Sequence, residues 1–122
     1  MDVLQGEIYW VTIRPEETKG SEQFGRRPFL IVSRNAVNKA VKTVVAVPLS
    51  TTIDNQPAHR IAIPVPEITK DPSCNSQLAP SVAKTDQVRV IDKSRLEQKI
   101  GKLSQTATVA VGHGLAWVFD IR

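Results

Sequence analysis

The chain offers one thiol, Cys74, so no disulfide can close within it. That fits a reducing compartment. Cys74 lies in a Pro/Ser/Asn-rich stretch with no neighbouring base and reads as inert rather than nucleophilic. Histidine is nearly as scarce: only His59 and His113 occur, far apart, with no HExxH or CxxC spacing around them. No metal and no other cofactor is therefore expected. No apolar run approaches the roughly 18 residues of a membrane span, so no membrane contact is expected. The segment Met1 to Tyr9 carries Asp2 and Glu7 and lacks the basic and apolar regions of a secretory signal, which predicts a cytoplasmic protein. Acidic residues are outnumbered, 12 against 16 Lys and Arg, giving a net charge of +4. A mildly basic surface is compatible with a nucleic-acid partner without specifying one.

What is present is a chain of 122 residues with 41% hydrophobic content, read as one domain over 1–122 with a single core. In Glu7 to Ile13, Ile8, Trp10 and Thr12 alternate with Glu7, Tyr9 and Val11, which predicts a strand. Arg14 to Gly25 has no apolar period and reads as a long loop. Phe29 to Ser33 is a buried strand with Pro28 as its first residue. Asn35 to Ala40 reads as a helical turn and Thr43 to Leu49 as a strand. His59 to Ile63, Ser81 to Lys84 and Gln87 to Ile91 read as short strands, and the proline-rich stretch Pro64 to Asn75 as a loop. From Ser94 to Leu103 two signals compete. Ser94-x-x-Glu97 resembles a capping box and Leu96, Ile100 and Leu103 have helical spacing, whereas Gly101 opposes a helix. Ser104 as N-cap and the spacing of Ala107, Val111, Leu115 and Val118 predict a helix from Gln105 to Phe119, weakened by Gly112 and Gly114. Together these give a mainly β, barrel-like α+β fold with attached short helices and a C-terminal helix.

The most distinctive stretch is G-S-E-Q-F-G-R-R-P-F-L-I-V-S, Gly20 to Ser33. Arg26 and Arg27 stand between a polar, glycine-bounded loop and an apolar strand. Guanidinium groups in that setting suggest an oxyanion or phosphate partner. Gly20 to Arg27 nearly spells a nucleotide P-loop, but Arg replaces the Lys-Ser/Thr pair and a strand, not a helix, follows. ATP or GTP binding is excluded on that context. His59, beside Arg60 on a strand edge, is a candidate RNA contact, whereas His113 between two glycines reads as structural or solvent-facing. A two-histidine acid/base pair finds no support, because nothing in the sequence places the two rings together. The remaining polar residues that fall on loops or strand ends are Glu22, Arg27, Ser50, Thr51, Lys84 and Asp86.

With G-E-I-Y-W-V at the start, then V-A-V-P-L-S-T-T and K-T-D-Q-V-R-V-I-D-K-S-R-L, these segments form an ordered set. The set resembles the MazF/PemK/Kid toxins of type II toxin–antitoxin systems, over Gly6 to Leu103. The resemblance implies an SH3-like barrel, a homodimer, and a metal-independent, sequence-specific endoribonuclease, an mRNA interferase that inhibits translation and growth. It also implies neutralisation by a cognate antitoxin whose disordered C-terminal segment occupies the RNA groove. It favours a strand over a helix near Gln98 to Leu103. Carried over, the catalytic arginine is Arg27. The catalytic hydroxyl, usually Thr, falls on Ser50, with Thr51 beside it. An Arg-x-Asp pair that serves as acid and base in one branch reads Lys84-Thr85-Asp86 here, with the Arg replaced. Glu22, Gln23 and Gln87 match positions that line the RNA groove.

The chemistry so implied is attack of a ribose 2′-hydroxyl on the adjacent phosphorus, giving a 2′,3′-cyclic phosphate and a 5′-hydroxyl. The nucleophile is tethered beside its target, so positioning does much of the work. Arg27 is expected to stabilise the phosphorane, Ser50 to donate to a non-bridging oxygen, and Asp86 or Glu22 to act as base. Single-stranded RNA would splay its bases towards Gln23, Gln87 and the edge of Phe24. Arg26, Thr51, His59 and Lys84 complete the expected RNA contacts. Two readings compete: a non-enzymatic binder of the same fold, such as a gyrase poison or RNA-binding module, and a catalytically degenerate toxin that keeps only antitoxin binding.

Overall fold

The structure, a computed structural model, describes residues 2–20 and 25–121. Among them the elements run β1 (Glu7–Ile13), β2 (Gly25–Ile31), α1 (Asn35–Ala40), β3 (Thr43–Ser50), β4 (Ile61–Ile63), β5 (Ile68–Lys70), β6 (Ser81–Ala83), β7 (Arg89–Asp92), β8 (Lys99–Leu103) and α2 (Gln105–Val118). All strand pairs are antiparallel, in the spatial order β4-β6-β3-β2-β1-β8-β5, with β7 paired to β3. The sheet curls into a nearly closed barrel with few helices, the mainly β architecture expected. No helix of the described residues is long and apolar enough to cross a membrane.

Apolar residues on β1 and β2 go to both faces of the sheet, so the alternation in β1 separates two cores rather than core from solvent. Ile8, Leu30, Val47 and Leu49 pack with Ala107 and Val111 of α2. Tyr9, Val11, Ile13, Phe29 and Ile31 pack with Val44, Ala46 and Ile91 on the opposite face. Glu7 is buried and satisfied there. Its carboxylate meets Lys99 Nζ at 2.6 Å and accepts from the Leu4 N–H and the Tyr9 hydroxyl. Burial pushes that carboxyl up, and the bonds from Lys99, Leu4 and Tyr9 outweigh it, so it lies below its ordinary value.

Several boundaries differ from expectation. Pro28 sits inside β2 rather than at its start. Trp10 uses its N–H and C=O on Gln98 and Glu97, at 3.0 and 2.8 Å, so the Trp10–Pro28 pair opposite needs no proline donor. On the far side, β2 pairs with β3 only from Phe29 onward, so the missing N–H leaves no gap in the ladder. His59 and Arg60 precede β4 in a turn closed by Arg60 N–H to Pro57 O, not on a strand. Gln87 belongs to a 3-10 turn, Thr85–Gln87, not to β7. The stretch read as a loop between Pro64 and Asn75 contains a 3-10 turn, Val65–Glu67, and the short strand β5.

The region with competing signals resolves as strand β8. Leu96 packs on the Phe29 cluster whereas Ile100 and Leu103 pack on the Ile8 cluster, so their helical spacing was coincidental. Ser94 lies in a 3-10 turn capped by Asp92, and Glu97 extends a carboxylate to Thr12, so no capping box forms. Gly101 is required on its strand: a Cβ there would stand 2.5 Å from Thr69 O.

The terminal helix α2 starts as expected, with Ser104 Oγ accepting from Ala107 N–H at 3.1 Å. Its two glycines are not equivalent. A Cβ on Gly114 would stand 2.6 Å from His59 O and 3.1 Å from Thr85 Cγ2, whereas one on Gly112 meets nothing within 4 Å. Gly114 therefore permits the close approach of α2 to the turns before β4 and before β7. The two substitutions have opposite expected signs. Gly114→Ala lowers unfolding stability by about 1–3 kcal/mol through overpacking. Gly112→Ala raises it by up to about 1 kcal/mol through helix propensity. Urea unfolding of both variants checks the contrast.

Candidate active site

Strand β2 presents its two arginines to opposite faces, because neighbouring residues of a strand alternate. Arg27 stands in register with Val11 and Arg26 with Thr12. On its face, Arg26 lies over the Trp10 ring, 4.5 Å from the centroid, and its Nε meets Glu97 Oε1 at 2.9 Å. Glu97 also accepts from Thr12 Oγ1 at 2.7 Å. Arg26 is thus held in a structural cluster away from Arg27, and its expected RNA-contact role loses ground to that engagement.

The β2–β3 ladder pairs Ile31 with Ala46, Leu30 with Val47 and Phe29 with Pro48. The ladder stops there; carried two residues further along each strand, the same register points Arg27 towards Ser50. Ser50 ends β3 and is partly buried, and its Oγ accepts from Thr52 N–H at 3.2 Å. That bond uses a lone pair and leaves the hydroxyl proton for donation. Thr51 is exposed and lines a small apolar hollow of about 110 Å³ with Trp10 and Leu78, apart from Asp86.

The third strand of the site is β6, whose Ala83 pairs with Leu49. The Lys84 N–H that follows donates to Pro48 O at 3.0 Å, which brings the turn Thr85–Gln87 beside the end of β3. Burial pushes the Lys84 amine below its ordinary value, helped by the positive charges of Arg60 and Arg27 and opposed by Asp86. Lys84, Arg27, Arg60 and Asp86 therefore share one electrostatic neighbourhood.

Asp86 does not pair with the lysine two residues before it. Arg60 grips both its oxygens, Nε to Oδ1 at 2.6 Å and a terminal nitrogen to Oδ2 at 2.7 Å, while its other terminal nitrogen donates to Gln56 Oε1 at 3.0 Å. This guanidinium holds the carboxyl down to about 2, against the opposing effect of burial. A carboxylate so engaged is a weak proton acceptor near neutral pH, which weighs against the base role expected of Asp86. Arg60 thus supplies from the β3–β4 connection the cation that the Lys84-Thr85-Asp86 pattern lacks locally.

His59 completes the cluster. Its Nε2 lies 3.3 Å from Asp86 Oδ1, and its ring stacks on Trp117 with centroids 5.0 Å apart and an interplanar angle of 6°. The hydroxyl of fully buried Thr85 donates to His59 O at 2.7 Å and ties the two turns together. His113 and His59 line one hollow of about 530 Å³ with Ile61 and Trp117, so the fold brings to one pocket the two histidines that sequence could not place together. A second hollow, of about 330 Å³, is lined by Phe29, Pro48, Asp86, Gln87 and Arg89, and the buried Gln87 Oε1 has no partner among the described residues.

Glu22, Gln23 and Phe24 lie outside the described residues. Among the described residues no three His, Cys, Asp or Glu side chains gather as a metal site. Arg60 and Trp117 were not singled out as site residues. Trp117 had a usable signal, since His113 and Trp117 are four apart on a predicted helix and so share a face. Arg60 had none beyond adjacency to His59, because its partner lies 26 residues away.

The clamp makes an acid-side prediction. Asp86 is held below its ordinary value of 3.8, so its contribution to stability is present above about pH 4 and is lost as pH falls through about 2. In Arg60→Ala the carboxyl returns towards 3.8 and that loss of stability between pH 4 and 2 disappears. A carbon-13 NMR titration of the Asp86 carboxyl in both proteins reads the shift directly.

Residues 4–119 match the family described as PemK-like, MazF-like toxin of type II toxin–antitoxin systems. An endoribonuclease MazF of Staphylococcus epidermidis is 29% identical over 116 residues, covering 93% of this chain and 88% of that protein. The solved structure of a mycobacterial endoribonuclease in complex with its cognate antitoxin is 25% identical, with a TM-score of 0.67, and covers 99% of this chain and 96% of its own. A MazF crystal structure from Deinococcus radiodurans shares the fold at a TM-score of 0.75 and 21% identity, covering 98% of each chain. The match spans every element from β1 to α2, and the chain belongs to the PemK-like, MazF-like toxins of type II toxin–antitoxin systems.

Proposed function

We propose that this toxin is a sequence-specific endoribonuclease that cleaves single-stranded mRNA in the cytoplasm without a metal ion. It acts as one domain over residues 1–122, as a homodimer, and is neutralised by a cognate antitoxin whose C-terminal segment lies in the RNA groove. The reading is supported by the β2–β3 register, which ends at the Phe29–Pro48 pair and, carried two residues further along each strand, points Arg27 towards Ser50. The kinship with an endoribonuclease of the same length range, and with one solved beside its antitoxin, supports the activity and the partner.

In the reaction, the 2′-oxygen of one ribose bonds to the adjacent phosphorus as its proton leaves, and the bond to the 5′-oxygen breaks. Arg27 meets the charge that builds on the non-bridging oxygens, a role suited to a planar, permanently charged group. Ser50 donates its hydroxyl proton as a hydrogen bond to the same phosphoryl group. Lys84 adds positive charge from the adjoining strand end. Gln87 reads a base through its buried carbonyl oxygen, which has no partner among the described residues and suits an amino group of a nucleobase.

Purified protein is expected to cut a long mixed-sequence RNA in excess EDTA and leave 2′,3′-cyclic phosphate ends. Arg27→Ala is expected to lower kcat by at least about 10²–10³, and Ser50→Ala by a similar or smaller factor. Cleavage that needs added Mg²⁺, or that persists in Arg27→Ala, contradicts the proposal.

A further inference from the structure

We propose that His59 is the general base of the cleavage reaction, oriented by Asp86, with Arg60 and Trp117 as positioning residues. The inference rests on the ribonuclease reading above and assigns the proton transfer which that reading leaves without an owner.

Four contacts prepare the imidazole for this task. Asp86 Oδ1 faces Nε2 at 3.3 Å. Donation of the Nε2 proton to the carboxylate selects the tautomer whose Nδ1 is an acceptor. Trp117 fixes the ring plane by stacking at 5.0 Å. Thr85 holds the His59 carbonyl, and Gly114 lets α2 close on the same turn. The ring is still open to a ligand, because His59 lines the larger hollow while its partner Asp86 lines the neighbouring one.

The other ionisable groups around the ring are unsuited to the step. Asp86 has both oxygens on Arg60. Arg60 stays protonated, since Asp86 raises its already high value. Lys84, at the end of β6, supplies charge rather than basicity while protonated. His113, on α2, lines the same hollow with no carboxylate bonded to its ring among the described residues. The clamp explains why Asp86 serves as orienter: as a fixed anion, it directs His59 without taking its proton.

The step balances as follows. The O–H bond of the 2′-hydroxyl breaks and an N–H bond forms at His59 Nδ1. The 2′-oxygen bonds to phosphorus, the bond from phosphorus to the 5′-oxygen breaks, and the leaving 5′-oxygen takes a proton from water. The imidazolium then returns its proton to water.

The test uses the full-length protein and a fluorogenic oligonucleotide built around a cleavage site mapped on a long RNA transcript, with EDTA present. For the wild type, kcat/KM is expected to rise with pH across a limb within about pH 5–8, where imidazoles titrate. His59→Gln is expected to lower kcat/KM about 10²–10³-fold at pH 7 and to remove the limb, with kcat falling more than KM rises. His59→Ala is expected to regain activity when imidazole is added, a rescue that a purely structural histidine would not allow. Thermal unfolding confirms that both variants are folded. A limb that persists in His59→Gln, a limb lost instead in Glu22→Gln, or a folded His59→Ala without rescue overturns the assignment. If cleavage depends on Arg27 but not on His59, only this inference falls. If the wild type cuts no RNA, both fall.

Discussion

Strand β3 has more neighbours than one straight strand can serve, and the barrel depends on how it divides them. Along one edge it pairs with β2. Along the other it pairs with β7 through Thr43 to Ala46 and then with β6 at Leu49 and Ser50. Pro48 marks the change of partner. Its carbonyl accepts from Lys84 while its ring nitrogen has no proton to leave unpaired. That single exchange bends the sheet towards closure and gathers Ser50, Lys84 and Asp86 where β2 delivers Arg27. The site is therefore made by backbone hydrogen bonding before any side chain is chosen.

Charge balance in this corner is unequal by design of the fold. Arg27, Arg60 and Asp86 all act on Lys84, so three cations share a neighbourhood with that carboxylate, which lines an open hollow. Such an excess of positive charge suits a phosphodiester, whose charge grows on the way to the phosphorane. Arg60 and Asp86 offset one another through their two hydrogen bonds. The remaining polar clusters, Glu7 with Lys99 and Arg26 with Glu97, serve the sheet rather than the site.

Much of the fold was legible in local patterns. The β-branched run in β3, the alternation in β1 and the Ser104 cap of α2 are short-range signals that tertiary packing had no reason to override. Boundaries failed where distant partners decide them. Gly101 is in a strand because Thr69 lies against it, and Leu96 and Ile100 serve different cores despite their helical spacing. Among the candidate site residues, Arg27, Ser50 and Lys84 were named through resemblance because they sit in contiguous motifs. Arg60 could not, because a side chain's partner 26 residues away leaves no trace in local spacing, whereas Trp117 was traceable only through the helix face it shares with His113.

Sequence alone determined the residue types and their order: one cysteine, two histidines, an arginine pair at the start of a buried strand, and a polar end to the next one. These determine the family and the kind of anion the chain can meet, since charge and hydrogen-bonding capacity are properties of side chains. Tertiary structure decided the pairings. It separated Arg26 from Arg27 by strand alternation, gave Asp86 to Arg60 instead of Lys84, and laid His59 on Trp117. Those outcomes depend on distances across the sheet and on the close approach that Gly114 allows, and no local pattern encodes a distance between residues so far apart in the chain.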